Sequence, residues 1–237
     1  MEQPPIELLG VKILEPVTTF TDLIVAAVCF YAFYKILQQQ RKEKVFLFLK
    51  YYFLTMGIAT TFGGLIGHGF LYYFSFGWKL PGWITSMLSI MMIERASIEH
   101  ARPLISLRTA NSFRIINTIE LLTFMAITMY TLNFRFVEIH SGYGLMIVVL
   151  SLQLFVYLKT RNAGSGYFLI GVFFAAISAL IYMNEIALHA YFNHYDISHI
   201  FMAIAAWVFY LGAKNLEIVN PKRDEIRSLK EVFSFNN

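Results

Sequence analysis

Apolar residues in this chain fall into runs of roughly twenty or more, separated by short polar connections, and each run is long enough to cross a bilayer core of about 30 Å. Hydrophobic residues make up 57% of the chain and charged residues only 14%, so the sequence predicts an integral membrane protein of class all-α, a bundle of transmembrane helices. With 237 residues there is room for six or seven crossings and no separate soluble domain. The runs predict helices at 19–38, 47–74, 82–98, 112–131, 141–159, 165–190 and 197–214, which makes seven spans. The second would be about 42 Å long at about 1.5 Å per residue, so it must tilt, kink or project, and Gly57, Gly63, Gly64 and Gly67 favour a kink or close packing. The third is the least apolar, because Glu94, Arg95 and Glu99 shorten its hydrophobic part. Were it not to cross, the later spans would invert and the charge pattern would lose its sense.

That pattern sets the expected orientation. Arg41, Lys42 and Lys44, then Arg95, Arg102, Arg108 and Arg114, then Lys159 and Arg161, and finally Lys222, Arg223, Arg227 and Lys230 fall on one side, whereas the other holds only Lys12, Lys79 and Arg135. The positive-inside rule then puts the C-terminus in the cytoplasm and the N-terminus outside, with the cell membrane as the expected location. Residues 1–18 read as an extracytoplasmic lead-in, with a short interfacial helix as one form it could take, residues 19–214 as the transmembrane domain, and 215–237 as a cytoplasmic, helical tail. Residues 1–18 lack the basic and apolar regions of a cleavable signal peptide. The basic residues are dispersed between spans, which argues against a nucleic-acid partner, and the single Cys29 offers no disulfide framework.

Histidine is costly in hydrocarbon, yet His68, His140, His189, His194 and His199 all map toward the non-cytoplasmic end. Asp22 lies about one turn into the first span, His68 about two turns from the outer end of the second, and Glu185 and His189 are predicted one helical turn apart on the sixth. His194 and Asp196 follow in a short connection, and His199 opens the seventh span. Each has a plainer reading. His140 and His194 fit hydrogen-bonded interfacial residues, Asp196 fits an N-cap, and Glu185 with His189 fits a self-satisfying pair. Glu120, deep in the fourth span, fits a carboxyl bonded to a neighbouring helix and is given no catalytic role. Imidazole and carboxylate at one depth match the ligands of zinc, so His68 and His199 with one of His189, His194 or Asp196 form a candidate ligand set.

These segments resemble the alkaline ceramidase superfamily of seven-span membrane hydrolases, which includes the adiponectin-receptor-like proteins. Glu15-Pro-Val-Thr18-Thr19-Phe-Thr21-Asp22 is similar to that family's Glu-Phe-x-Asn-Thr-x-Ser-Asn opening. Phe62-Gly63-Gly64-Leu-Ile-Gly67-His68 matches the spacing of its Gly-x-Gly-Ser-x-x-Phe-His segment, and Asp196-Ile-Ser198-His199 resembles the start of its last span. The resemblance implies zinc held by His68 and His199. The family serine, however, falls on Gly64, its third-span aspartate has no counterpart among Thr85, Ser86 and Ser89, and its last histidine falls on Tyr195 or Ala203.

The expected function is therefore a zinc-dependent membrane hydrolase acting on an amide or ester bond of a lipid, with Glu185 or Asp22 taking or positioning the proton. The alternatives are a non-enzymatic seven-span lipid- or ion-binding or sensory protein and a b-type haem protein ligated by His68 with His189 or His199.

Overall fold

The structure, a computed structural model, describes residues 3–220. The chain opens with a two-stranded antiparallel hairpin, β1 (Ile6–Leu8) and β2 (Val11–Ile13). Leu9 and Gly10 turn it with φ of +51° and +79°, the paired left-handed conformation that suits a tight hairpin turn. This corrects the expectation of a short interfacial helix: alternation over Ile6–Ile13 and a glycine at the turn favour strand pairing.

Among the described residues eight α-helices follow: α1 (Pro16–Gln38), α2 (Lys44–Phe62), α3 (Leu80–Ala101), α4 (Leu107–Thr131), α5 (Arg135–Gly142), α6 (Leu150–Thr160), α7 (Ala163–Met183) and α8 (His194–Lys214). A π-helical segment, Gly63–Gly69, extends α2, and a second one, Tyr143–Val149, joins α5 to α6 into one continuous rod. Caps fix several boundaries. Pro16 occupies the first turn of α1, where its missing N–H costs nothing, Ser106 accepts from Thr109 N at α4, and Asn162 accepts from Ser165 N at α7.

Six helical stretches among the described residues are long and apolar enough to cross a membrane: Pro16–Gln38, Lys44–Gly69, Leu107–Thr131, Arg135–Thr160, Ala163–Met183 and His194–Lys214. The protein is an all-α membrane protein. α3 is long enough but not apolar enough, and its surroundings explain why. It packs against α2, α4, α5 and α6, and its polar side chains meet protein rather than lipid. Arg114 pairs with Glu99, Arg95 donates to Arg114 O and Thr118, and Asn117 donates to Glu94.

α1 packs on α2 and α8, and α7 packs along α8. Small residues allow that last approach: a Cβ at Gly164 would lie 2.6 Å from Leu216 Cα, and one at Gly171 would lie 2.5 Å from Phe209. The main apolar core, including Phe46, Phe53, Phe168 and Phe209, is built from α1, α2 and α8 with contributions from α3 and α7. The expected helical tail lies mostly outside the described residues, and 216–220 are not helical.

Candidate functional site

Three pieces of local structure assemble the site. The glycines of Gly63–Gly69 open the end of α2 into a π-helix, a wider winding often found where a helix serves function, and His68 lies in its last turn. Gly63 and Gly64 admit α1 closely: a Cβ at Gly63 would stand 2.9 Å from Asp22 Oδ2, and one at Gly64 would stand 3.0 Å from Thr19 O. The β-hairpin docks over the same end, with Leu14 N donating to Gly69 O at 3.1 Å and Tyr72 O–H donating to Lys12 O at 2.7 Å. This brings Glu15 to His68.

His68 and His199 face one another with ring centroids 6.1 Å apart and planes at 71°. Each ring is held through Nδ1. Glu15 Oε2 lies 2.6 Å from His68 Nδ1, and Thr21 Oγ1 lies 3.1 Å from His199 Nδ1. The Thr21 hydroxyl spends its single hydrogen on Thr18 O at 3.1 Å, so His199 Nδ1 is the donor to Thr21 and Nε2 carries a lone pair. That lone pair lies 3.4 Å from Asp22 Oδ1, in a site where the His199 and Asp22 side chains are only 12% and 7% exposed. Burial pushes the Glu15 carboxyl up, but the hydrogen bond and charge of His68, aided by the charge of Lys79, outweigh it and hold Glu15 below its ordinary value.

The donor set fits zinc in kind. Two imidazole nitrogens and a carboxylate oxygen are its usual ligands, and 3.4 Å between Nε2 and Oδ1 matches the gap of about 3.3–3.5 Å between two ligands each about 2.0–2.2 Å from a tetrahedral ion. With a metal ion bound, Glu15 would be the carboxylate that fixes the tautomer of the His68 imidazole. Among the described residues no group of three or more His, Cys, Asp or Glu side chains forms a preassembled metal site. Tyr195 stands one helical turn before His199, with its ring 5.3 Å from that of His68.

The remaining predicted ligands lie elsewhere or are otherwise engaged. Asp196 is fully buried and satisfied: it accepts from Gln3 at 2.6 Å, Thr18 at 2.8 Å and Asn193 N at 2.7 Å, closing a capping box on α8. Its role is structural, because its oxygens are already used by three donors. His194 packs its ring against Tyr195 at 4.2 Å and Tyr182 at 5.8 Å, and its buried Nδ1 has no hydrogen-bond partner among the described residues. The predicted helical pairing of Glu185 with His189 is corrected. α7 stops at Met183 in a Schellman-type turn, with Ile186 N bonding Ile181 O, Glu185 N bonding Tyr182 O, and Glu185 itself at φ +50°. Glu185 is exposed and bonds neither imidazole, while His189 sits exposed in a tight turn, its Nδ1 accepting from Tyr191 N at 3.2 Å. His140 also lies apart, buried against Glu120 and Met87 O.

Glu15 and Thr21 are the site residues that sequence reasoning did not single out. Both belong to the Glu15–Asp22 segment, where one acidic residue precedes Pro16 and three threonines follow within a helical turn and a half. Residues 17–218 match the model of a family of unknown function, DUF6962, and the chain belongs to that family. No curated protein and no solved structure matches the chain.

Proposed function

We propose that this DUF6962 member is a zinc-dependent membrane hydrolase that cleaves an amide or ester bond of a lipid, with its site near the non-cytoplasmic face of the cell membrane. The reading takes α3 as a seventh crossing: its 22 residues span about 33 Å, and protein surrounds its charges. The N-terminal hairpin is then outside and the C-terminus in the cytoplasm. The single observation that carries the proposal is the apposition of His199 Nε2 to Asp22 Oδ1 at 3.4 Å beside the His68 ring, a spacing that a shared cation would bridge.

His68 and His199 would hold zinc through Nε2, with Asp22 completing the set or standing beside it. Zinc bound there supplies an acidified water and a Lewis acid for the scissile carbonyl. Glu15 keeps the His68 lone pair directed away from Nδ1, and Thr21 does the same for His199. Asp22, when it is not a ligand, accepts the proton of the attacking water and returns it to the leaving group, so the proton count balances over one turnover. Burial of His199 and Asp22 among α1, α8 and Gly63–Gly69 lowers the local dielectric and strengthens the interactions between charged groups there.

The experiment is turnover of a panel of ceramides, acylglycerols and phospholipids by the purified protein in nanodiscs, before and after chelation. Hydrolysis that chelation removes, zinc restores and Asp22→Asn lowers by about 10²–10⁴-fold supports the proposal. A protein that retains a lipid without ever cleaving it supports the second reading, a non-enzymatic lipid- or ion-binding protein. Gly64 and Tyr195, in place of the serine and histidine of the resembled family, favour that reading.

A further inference from the structure

A second polar cluster lies between α3, α4 and the α5–α6 rod, on elements that contribute nothing to the His68–His199 site. His140 is fully buried, with Nε2 3.0 Å from Met87 O and Nδ1 2.6 Å from Glu120 Oε1. A main-chain carbonyl only accepts, so Nε2 carries a hydrogen, and one further proton lies between Nδ1 and Oε1. The His140–Glu120 pair is therefore neutral wherever that proton rests.

Glu94 has no such compensation. It is wholly buried on α3, accepts from Asn117 Nδ2 through Oε2, and has no protein donor at Oε1. Asn117, also buried, has no donor at Oδ1, and Glu120 has none at Oε2. Asn117 and Glu120 are three residues apart on α4 and share a face. Three buried oxygens without a donor thus lie on three neighbouring side chains, one of them an uncompensated carboxylate, and a buried carboxylate in that state costs several kcal/mol or more unless a positive charge joins it. The adjacent Arg95 does not serve, since its guanidinium turns to Arg114 O and Thr118. The other ionisable groups facing the cluster are Glu120, His140 and Tyr143. Glu94 Oε1 rests against Gly144, where a Cβ would stand 3.0 Å away, so the rod leaves room for the carboxylate. Glu120 also lines an apolar-walled cleft of about 380 Å³ with Ile116, Ile119, Phe124, Ile139 and Tyr143, so the cluster lies close to the surface of the bundle.

We propose that Glu94, Asn117 and Glu120 form a binding site for one exchangeable monovalent cation, H⁺ or Na⁺, independent of the His68–His199 site. Two measurements on the full-length protein in nanodiscs test it: equilibrium binding of radioactive Na⁺, and infrared absorption of protonated carboxyl groups as bulk pH is cycled. If Na⁺ is the occupant, one ion binds per chain, acid competes it away, and Glu94→Gln abolishes binding. If H⁺ is the occupant, a carboxyl band comes and goes reversibly with pH and is missing in Glu94→Gln. In either case Asn117→Ala weakens occupancy by at least tenfold, which keeps the test decisive should Glu94→Gln fail to fold, and zinc content is unchanged. The proposal is overturned if no Na⁺ binds and no carboxyl band responds to pH, or if the signal persists unaltered in both variants.

Discussion

Glu15 and His68 meet at 2.6 Å where the lead-in docks on the end of the second span, and a charge-assisted contact of this kind is worth about 1.5–3 kcal/mol before solvent screening reduces it. Because the Glu15 carboxyl titrates below its unfolded value, its contribution is fully present above the ordinary carboxylate range and fades as pH falls through the lowered value. Thermal unfolding of wild type and Glu15→Gln should therefore differ at neutral pH and converge in acid. A gap that stays constant down to acid pH would contradict the assignment. At this scale the sequence was informative about His68, His199 and Asp22, because ionisable residues in apolar runs are costly and stand out. It misled over Glu185 and His189, because a glutamate rather than a glycine takes the left-handed position that ends α7, and no terminator marks the spot. Asp196 was ambiguous between ligand and cap, and only its donors, Gln3 and Thr18 from the far end of the chain, decide for the cap.

Helix packing depends on where glycines face a neighbour. A Cβ at Gly171 would lie 2.5 Å from Phe209, whereas one at Gly142 meets nothing within 4 Å. Gly171→Ala should destabilise by about 1–3 kcal/mol through overpacking of α7 on α8. Gly142→Ala, in a helical conformation with open space, should be neutral or stabilising by up to about 1 kcal/mol. Unfolding midpoints in detergent check both, and equal effects would show that the α7–α8 approach is wrong. The glycines of the second span were legible as a site of kinking or close approach. Their outcome as a π-helix was not, since the sequence pattern for an extra residue per turn is the same as that for a bend. α3 was the hardest element to read: hydropathy marks its Glu94, Arg95 and Glu99 as unfit for lipid, and only the side chains of α4 explain how they are accommodated.

For the whole molecule, seven crossings require the hairpin and the C-terminus to lie on opposite sides of the membrane. Cysteines placed at Leu9 and Gln40, in a Cys29→Ser background, should be labelled by an impermeant reagent from opposite faces, and labelling of Gly77 and Asn133 from the Leu9 side completes the expected topology. If Asn133 instead reports the face opposite to Gly77, α3 and α4 do not both cross and the proposed site loses its place. The membrane class was legible from run length alone, while the meeting of the first, second and last spans was visible only as a shared depth. The most direct test of the central claim is metal analysis of the purified full-length protein. The account expects about one zinc per chain, lost in His68→Ala and in His199→Ala, whereas a folded protein without zinc, or one whose zinc survives both substitutions, would contradict it.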